Sequence, residues 1–288
     1  MSRFRISDKE DSSIWRGLQY MFLSVSAFTV MNASAKYLEN VTAYQITFFR
    51  ALGSLLLCLA FLKVRKIPIW GTNRKLLWSR GIIGTISMVL FFLTIKEIPF
   101  GSAVCLRYLS PIFAALLAIL WLKERISPLQ WACFLVAFLG VLILKGFDSR
   151  ISMLGLGYIV TSAFFSGMVY VIIRRIGFRE HPVVIVTYFM LCASIAGGCL
   201  SVFNWQAPDP SDWFVLASLG LFGFFGQYFM TRAYQTTDIG VVGPVKYMES
   251  VFALSVGWIW FGEGYTLLSL TGIFLIVGSM ILNVLVKK

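Results

Sequence analysis

The 288-residue chain has little charge: 13% of its residues are charged against 58% hydrophobic, and the mean hydropathy is +0.81. A water-soluble domain carries roughly 25% charged residues, so a soluble fold is excluded. Histidine is nearly absent, with His181 the single copy. No H-E-x-x-H pair, paired intramembrane aspartates, Walker motif or nucleophile-base pair is present, which argues against a membrane-embedded enzyme and implies neither metal nor cofactor. Long polar stretches are missing too. Linkers such as "LKVRKIPIWGTNRK" and "FNWQAPDPSD" are short and rich in Pro, Gly or charge, leaving no extramembrane domain to hold separate chemistry. The five cysteines, Cys58, Cys105, Cys133, Cys192 and Cys199, form no C-x-x-C pair and read as small packing residues.

What the chain does have is a series of apolar blocks, each about long enough to cross a hydrocarbon core of ~30 Å as a helix. Blocks such as "WACFLVAFLGVLILKG" are apolar on every face, so helices are expected rather than an alternating barrel. The blocks predict ten spans, near 15–35, 42–62, 76–95, 102–122, 128–144, 153–173, 183–203, 213–233, 239–261 and 267–286. Residues 1–14 form a tail, and "NASAK" at the end of the first span is read as part of a retained helix, since ~20 apolar residues exceed a signal core. Of the 25 Lys and Arg residues, eighteen, Arg80 among them, fall on the side of the N-terminus and only Lys36, Lys96, Lys145 and Arg150 on the other. The positive-inside rule then predicts both termini in the cytoplasm of a protein in the inner or plasma membrane. The net charge of +12 is spread over short loops, so it gives orientation rather than a nucleic-acid surface. Arg50, Arg107 and Lys246 are left inside the membrane.

The sequence also repeats itself. "FGSAVCLRYLSPIFAALLAILWLKERIS" from Phe100 aligns without a gap on "IGVVGPVKYMESVFALSVGWIWFGEGYT" from Ile239, at an offset of 139 residues. The alignment pairs Gly101 with Gly240, Arg107 with Lys246, Tyr108 with Tyr247, Trp121 with Trp260 and Glu124 with Glu263. Two five-span halves are thus expected, 15–144 and 153–286. Because five is odd, the halves enter the membrane from opposite sides, as in secondary transporters that alternate access about a site near the midplane.

The ten-span layout and the doubled pattern "LSPIFAALLAILWLKERISPLQWACFLVAFLGVLIL" and "YMESVFALSVGWIWFGEGYTLLSLTGIFLIVGSMIL" resemble the EamA-like family of the drug/metabolite transporter superfamily. That resemblance covers almost the whole chain. It implies an all-α membrane protein of two inverted five-helix repeats around a central cavity, carrying small organic solutes. The second half departs from the commonest pattern: Ser250 stands where the first half has Pro111, and "KYMES" replaces a plainly apolar stretch.

A charge at mid-membrane is costly, so such residues face a cavity or a partner. Helical spacing puts Lys246, Glu249, Ser250 and Ala253 on one stripe and Arg107, Ser110, Pro111, Ala114 and Ala118 on its counterpart. Arg50, nearest the midplane, is the expected anchor for a carboxylate or phosphate, with Arg107 and Lys246 approaching the same anion from opposite sides. The competing reading pairs Lys246 with Glu249 on their own helix and gives Arg50 a packing role. Glu249 has two functional readings, binding a substrate amine or carrying a proton. Tyr108 and Tyr247 stand beside the cations as stacking or gating candidates. Asn32, Ser166, Tyr170, Tyr188 and Gln227 can reach a central cavity or serve as interhelical hydrogen bonds. The Gly-rich "GLFGFFG" from Gly220 is expected to allow close helix approach, and Glu124 and Glu263 to serve loop structure.

Three cations against one anion favour a carboxylate-bearing or zwitterionic solute, with a cationic or nucleotide-like solute the alternative within transport. A channel or a non-transporting scaffold is the alternative outside it. Expected partners are a small-molecule substrate and the lipid bilayer, not nucleic acid, for a monomer or homodimer.

Overall fold

The computed structural model describes residues 2–122, 127–236 and 245–286, and every regular element among them is helical. In chain order these are α1 (Ser2–Tyr37), α2 (Ala43–Val64), α3 (Arg74–Glu97), α4 (Phe100–Arg107), α5 (Ser110–Leu122), α6 (Pro128–Phe147), α7 (Met153–Ile176), α8 (Pro182–Phe203), α9 (Asp212–Thr236), α10 (Met248–Phe261) and α11 (Leu267–Val286). The turn chemistry sets several starts. Thr42 and Ser127 close capping boxes with Gln45 and Gln130, Ser152 accepts from the Gly155 amide, and Pro128 and Pro182 occupy first-turn positions where no amide donor is needed. Gly262 ends α10 at φ 62°, in the left-handed region.

Among the described residues seven segments are long and apolar enough to cross a membrane, and α10 and the apolar part of α11 are shorter. Large side chains such as Leu135, Phe138, Leu139 and Leu142 on α6 face outward, as a lipid-facing surface requires.

The hydrogen bonds between loops fix the topology. Asn40 donates to Asp209, Gln45 to the Gln206 carbonyl at 2.7 Å and Lys36 to the carbonyls of Ile95 and Ile98. The amides of Phe100 and Gly101 donate to Glu263, and the Arg150 guanidinium lies 5.5 Å from the Tyr265 ring. The α1–α2, α3–α4, α6–α7, α8–α9 and α10–α11 connections therefore gather at one end of the bundle. The α2–α3 and α7–α8 connections meet at the other, where Glu180 accepts from the Thr72 amide and hydroxyl, each at 2.6 Å, and the Asn73 amide at 2.8 Å. Each half crosses an odd number of times, and the halves are inverted.

Packing repeats the symmetry. The chain closes a ring in which α1 packs on α9, α9 on α2, α2 on α8, α8 on α3, α3 on α7, α7 on α4 and α5, α4 on α10, and α10 on α1. Exchanging each helix for its counterpart in the other half turns the α1–α9 contact into α7–α3 and the α2–α9 contact into α8–α3. The α2–α8 and α6–α11 pairs map onto themselves. Glycine makes the tightest crossings possible: Gly53 faces Gly220, and Gly140 faces Gly272, so closely that any side chain would strike the opposite backbone. The Gly-rich face of α9 thus serves helix approach.

The structure corrects the fourth span, expected as one helix over 102–122. It is broken at Tyr108 and Leu109 into α4 and α5. Pro111 explains the break, because it has no amide to reach the Arg107 carbonyl four residues back and its ring crowds that carbonyl. The Ser110 hydroxyl donates to the Arg107 carbonyl instead, at 2.5 Å. The ninth span is interrupted at the equivalent position. Val245 and Lys246 are helical, Tyr247 is a turn and α10 starts at Met248, although no proline occupies position 250. Glu124, Gly240 and the start of the expected ninth span lie outside the described residues.

Candidate functional site

The two breaks meet. The rings of Tyr108 and Tyr247, equivalent in the repeat, lie 4.7 Å apart at 46°. The Tyr108 hydroxyl donates to the Lys246 carbonyl at 2.9 Å and lies 3.3 Å from Oε2 of Glu249. Asn32 of α1 donates through Nδ2 to Oε1 of Glu249 at 3.2 Å. Glu249 is thus a buried carboxylate of the second half held by a phenol and an amide of the first.

Three cations stand at this junction, and each rests on an aromatic ring. Arg50 lies 5.4 Å from the Phe92 centroid, Arg107 4.1 Å from Phe91 and Lys246 5.7 Å from Tyr170. Arg50 is 5% exposed and sits in electrostatic reach of Arg107, Glu249 and Arg80. Gly223 of α9 packs beside its Nε and against the Ser54 hydroxyl. Neither Arg50 Nε nor Asn32 Oδ1 has a hydrogen-bond partner among the described residues. Buried polar atoms without partners are rare and costly, so a site that leaves them open is suited to a ligand that supplies an acceptor to Arg50 and a donor to Asn32. Tyr170 is 40% exposed, and its ring faces Lys246.

Not every expected residue joins this group. The Ser166 hydroxyl lies 2.7 Å from that of Ser87, and Ser162 donates to the Ser87 carbonyl, so both fasten α7 to α3. Gln227 instead lines a cavity of about 260 Å³ between α2, α8 and α9, with Phe61, Arg65, His181 and Tyr228. Glu263 holds the start of α4 and accepts from the Tyr265 hydroxyl, a structural role as expected. Arg80, expected at the membrane surface with the loop cations, is buried at 6% exposure and rests 4.1 Å from the Phe189 ring. Its place in the second turn of α3 is compatible with either position. Hydropathy carries no information on which way its long side chain turns.

At the basic end, burial pushes the Glu180 carboxyl up, but the donors from Thr72 and Asn73 outweigh it and hold the group below the usual carboxylate range. His181 is lowered by burial and by the charge of Arg232.

A ring of inverted helices with paired breaks and buried charges at their junction defines a multi-pass membrane transporter. The EamA-like transporter family profile matches residues 15–145 and 153–285, and the chain belongs to that family. Its relatives are transporters of small metabolites, and this chain is a transporter, not an enzyme. The pseudopaline exporter CntI of Pseudomonas aeruginosa (strain UCBPP-PA14) is 31% identical, over 94% of this chain and 97% of that one. Solute carrier family 35 member G1 of Homo sapiens is 28% identical over 91% of this chain and 77% of its own length. The riboflavin transporter of Vibrio cholerae is 22% identical, covering 86% and 85%. A crystal structure of a protein with 17% identity superposes with a TM-score of 0.66 over 94% of this chain and 95% of that one, a likeness of fold alone.

Proposed function

We propose that the protein is a secondary carrier that moves a carboxylate-bearing or zwitterionic small metabolite by alternating access, driven by exchange or by an ion or proton gradient. The observation that carries this reading is the junction of the two helix breaks, where the rings of Tyr108 and Tyr247 meet at 4.7 Å beside Glu249 and the cations Arg50, Arg107 and Lys246. A break frees backbone groups at membrane depth, tolerated only in protein or beside a cavity. Arg50 is the anion anchor, Arg107 and Lys246 approach the solute from the two halves, and Tyr108 and Tyr247 stack on it or gate it. Glu249, with Asn32, receives an amine or a proton. The similarity to an exporter supports outward traffic, and the excess of Lys and Arg on one side supports cytoplasmic termini.

The test is counterflow in proteoliposomes, with labelled metabolites exchanged against unlabelled ones. Arg50→Ala and Lys246→Ala are expected to abolish exchange while the protein stays folded in the membrane. Exchange at the wild-type rate in both variants would place the site elsewhere, and flux without counterflow would make the protein a channel.

A further inference from the structure

We propose that Arg80 anchors a second anionic group of the transported solute, so that the site takes a molecule with two anions, one at Arg50 and one at Arg80. This rests on the carrier reading above and names its substrate class more narrowly.

The direction of the Arg80 side chain is unusual for its depth. Arg80 lies in the second turn of α3, near the end of the bundle that holds the basic loops. A long cation so placed is expected to extend its head toward water. Arg74, six residues earlier, lies against the exposed Trp70. Arg80 turns the other way. Its guanidinium lies over the Phe189 ring, and Nη1 occupies the space that a side chain at Gly84, one turn deeper, would fill. Glycine at 84 is therefore what allows the inward position.

Neither Nε nor Nη1 of Arg80 has a hydrogen-bond partner among the described residues, and the hydroxyl of Tyr188, beside Phe189 on α8, has none either. The ring beneath a guanidinium attracts its charge but accepts nothing from the N–H groups at its edge.

Arg50, with its own Nε open, is within electrostatic reach of Arg80, and the carboxylate of Glu249 is already held by Asn32 and Tyr108. Two buried like charges repel, and a solute with one carboxylate relieves only one of them. A solute with two, joined by an apolar linker, satisfies both.

The experiment follows thermal melting of detergent-purified protein with straight-chain dicarboxylates from malonate to suberate, and with monocarboxylates of matched length. Wild-type protein is expected to bind the best dicarboxylate about 10–100-fold more tightly than its monocarboxylate. In Arg80→Met that advantage is lost, while the ligand-free protein melts at the same temperature or higher because an unpartnered buried charge has gone. Arg80→Lys keeps the charge without the bidentate fork and falls between. A structural Arg80 gives the reverse: Arg80→Met melts earlier or fails to fold, and the dicarboxylate advantage persists in Arg80→Lys at its wild-type size. Either result overturns the proposal, as does equal binding of mono- and dicarboxylates by wild-type protein. If Arg50→Ala stops counterflow and Arg80→Met does not change substrate affinity, this inference falls and the carrier site stands. If Arg50→Ala and Lys246→Ala both exchange normally, the carrier site itself falls.

Discussion

Tyr108 joins the two halves at a single side chain, with its ring on Tyr247 and its hydroxyl on the Lys246 carbonyl. Replacing it by Phe keeps the ring and removes the donor, at a cost of about 0.5–1.5 kcal/mol. Tyr108→Phe is expected to melt slightly earlier and to slow counterflow, since Glu249 loses one of its two donors. The residue scale is also where the sequence says least. The repeat marks Arg107, Tyr108, Lys246 and Tyr247 together because their types recur in register. Arg80 has no such partner in type, and its distance from a loop assigns it to the surface. Only the position of its guanidinium beside Gly84 reveals otherwise. Glu180 gives a prediction with pH. Its carboxyl is held below the usual range, so it contributes stability that is complete above about pH 4.3 and is lost as the pH falls through its folded value. The difference in melting temperature between wild type and Glu180→Gln is expected to be largest near neutral pH and to vanish in acid.

At the scale of elements, apolar blocks and loop charge make the ten spans and their alternation legible, because hydrocarbon thickness dictates length and backbone polarity dictates helix. The breaks are legible only in part. Pro111 signals the first through the carbonyl it cannot serve, whereas the sequence at Ser250 contains no such instruction. There the interruption shows only in the backbone, a turn at Tyr247 whose ring lies against Tyr108. Pro111→Ala restores an amide for the Arg107 carbonyl and is expected to favour a continuous helix. Higher thermal stability with slower exchange is the expected outcome, measured by melting and counterflow. The α2–α9 crossing is governed by close approach. Gly220→Val is expected to destabilise by about 1–3 kcal/mol, since its side chain meets the backbone at Gly53.

For the whole molecule, the decisive feature is the pair of contacts that map onto themselves under exchange of the halves, α2 with α8 and α6 with α11. Such a contact uses the same patch from both sides, as the interface of a twofold dimer does. One chain thus carries the geometry of two subunits joined by the short connection 148–152, whose Asp148–Arg150 ion pair at 2.9 Å is internal to the loop. The covalent link is then expected to be dispensable for assembly. Residues 1–147 and 153–288, co-expressed as separate polypeptides with a tag on one, are expected to copurify from the membrane as a complex that supports counterflow. The molecule is in this sense a dimer whose subunit is written twice in one chain, with its two copies differing at Ser110 and Glu249 while keeping the surface through which they recognise each other.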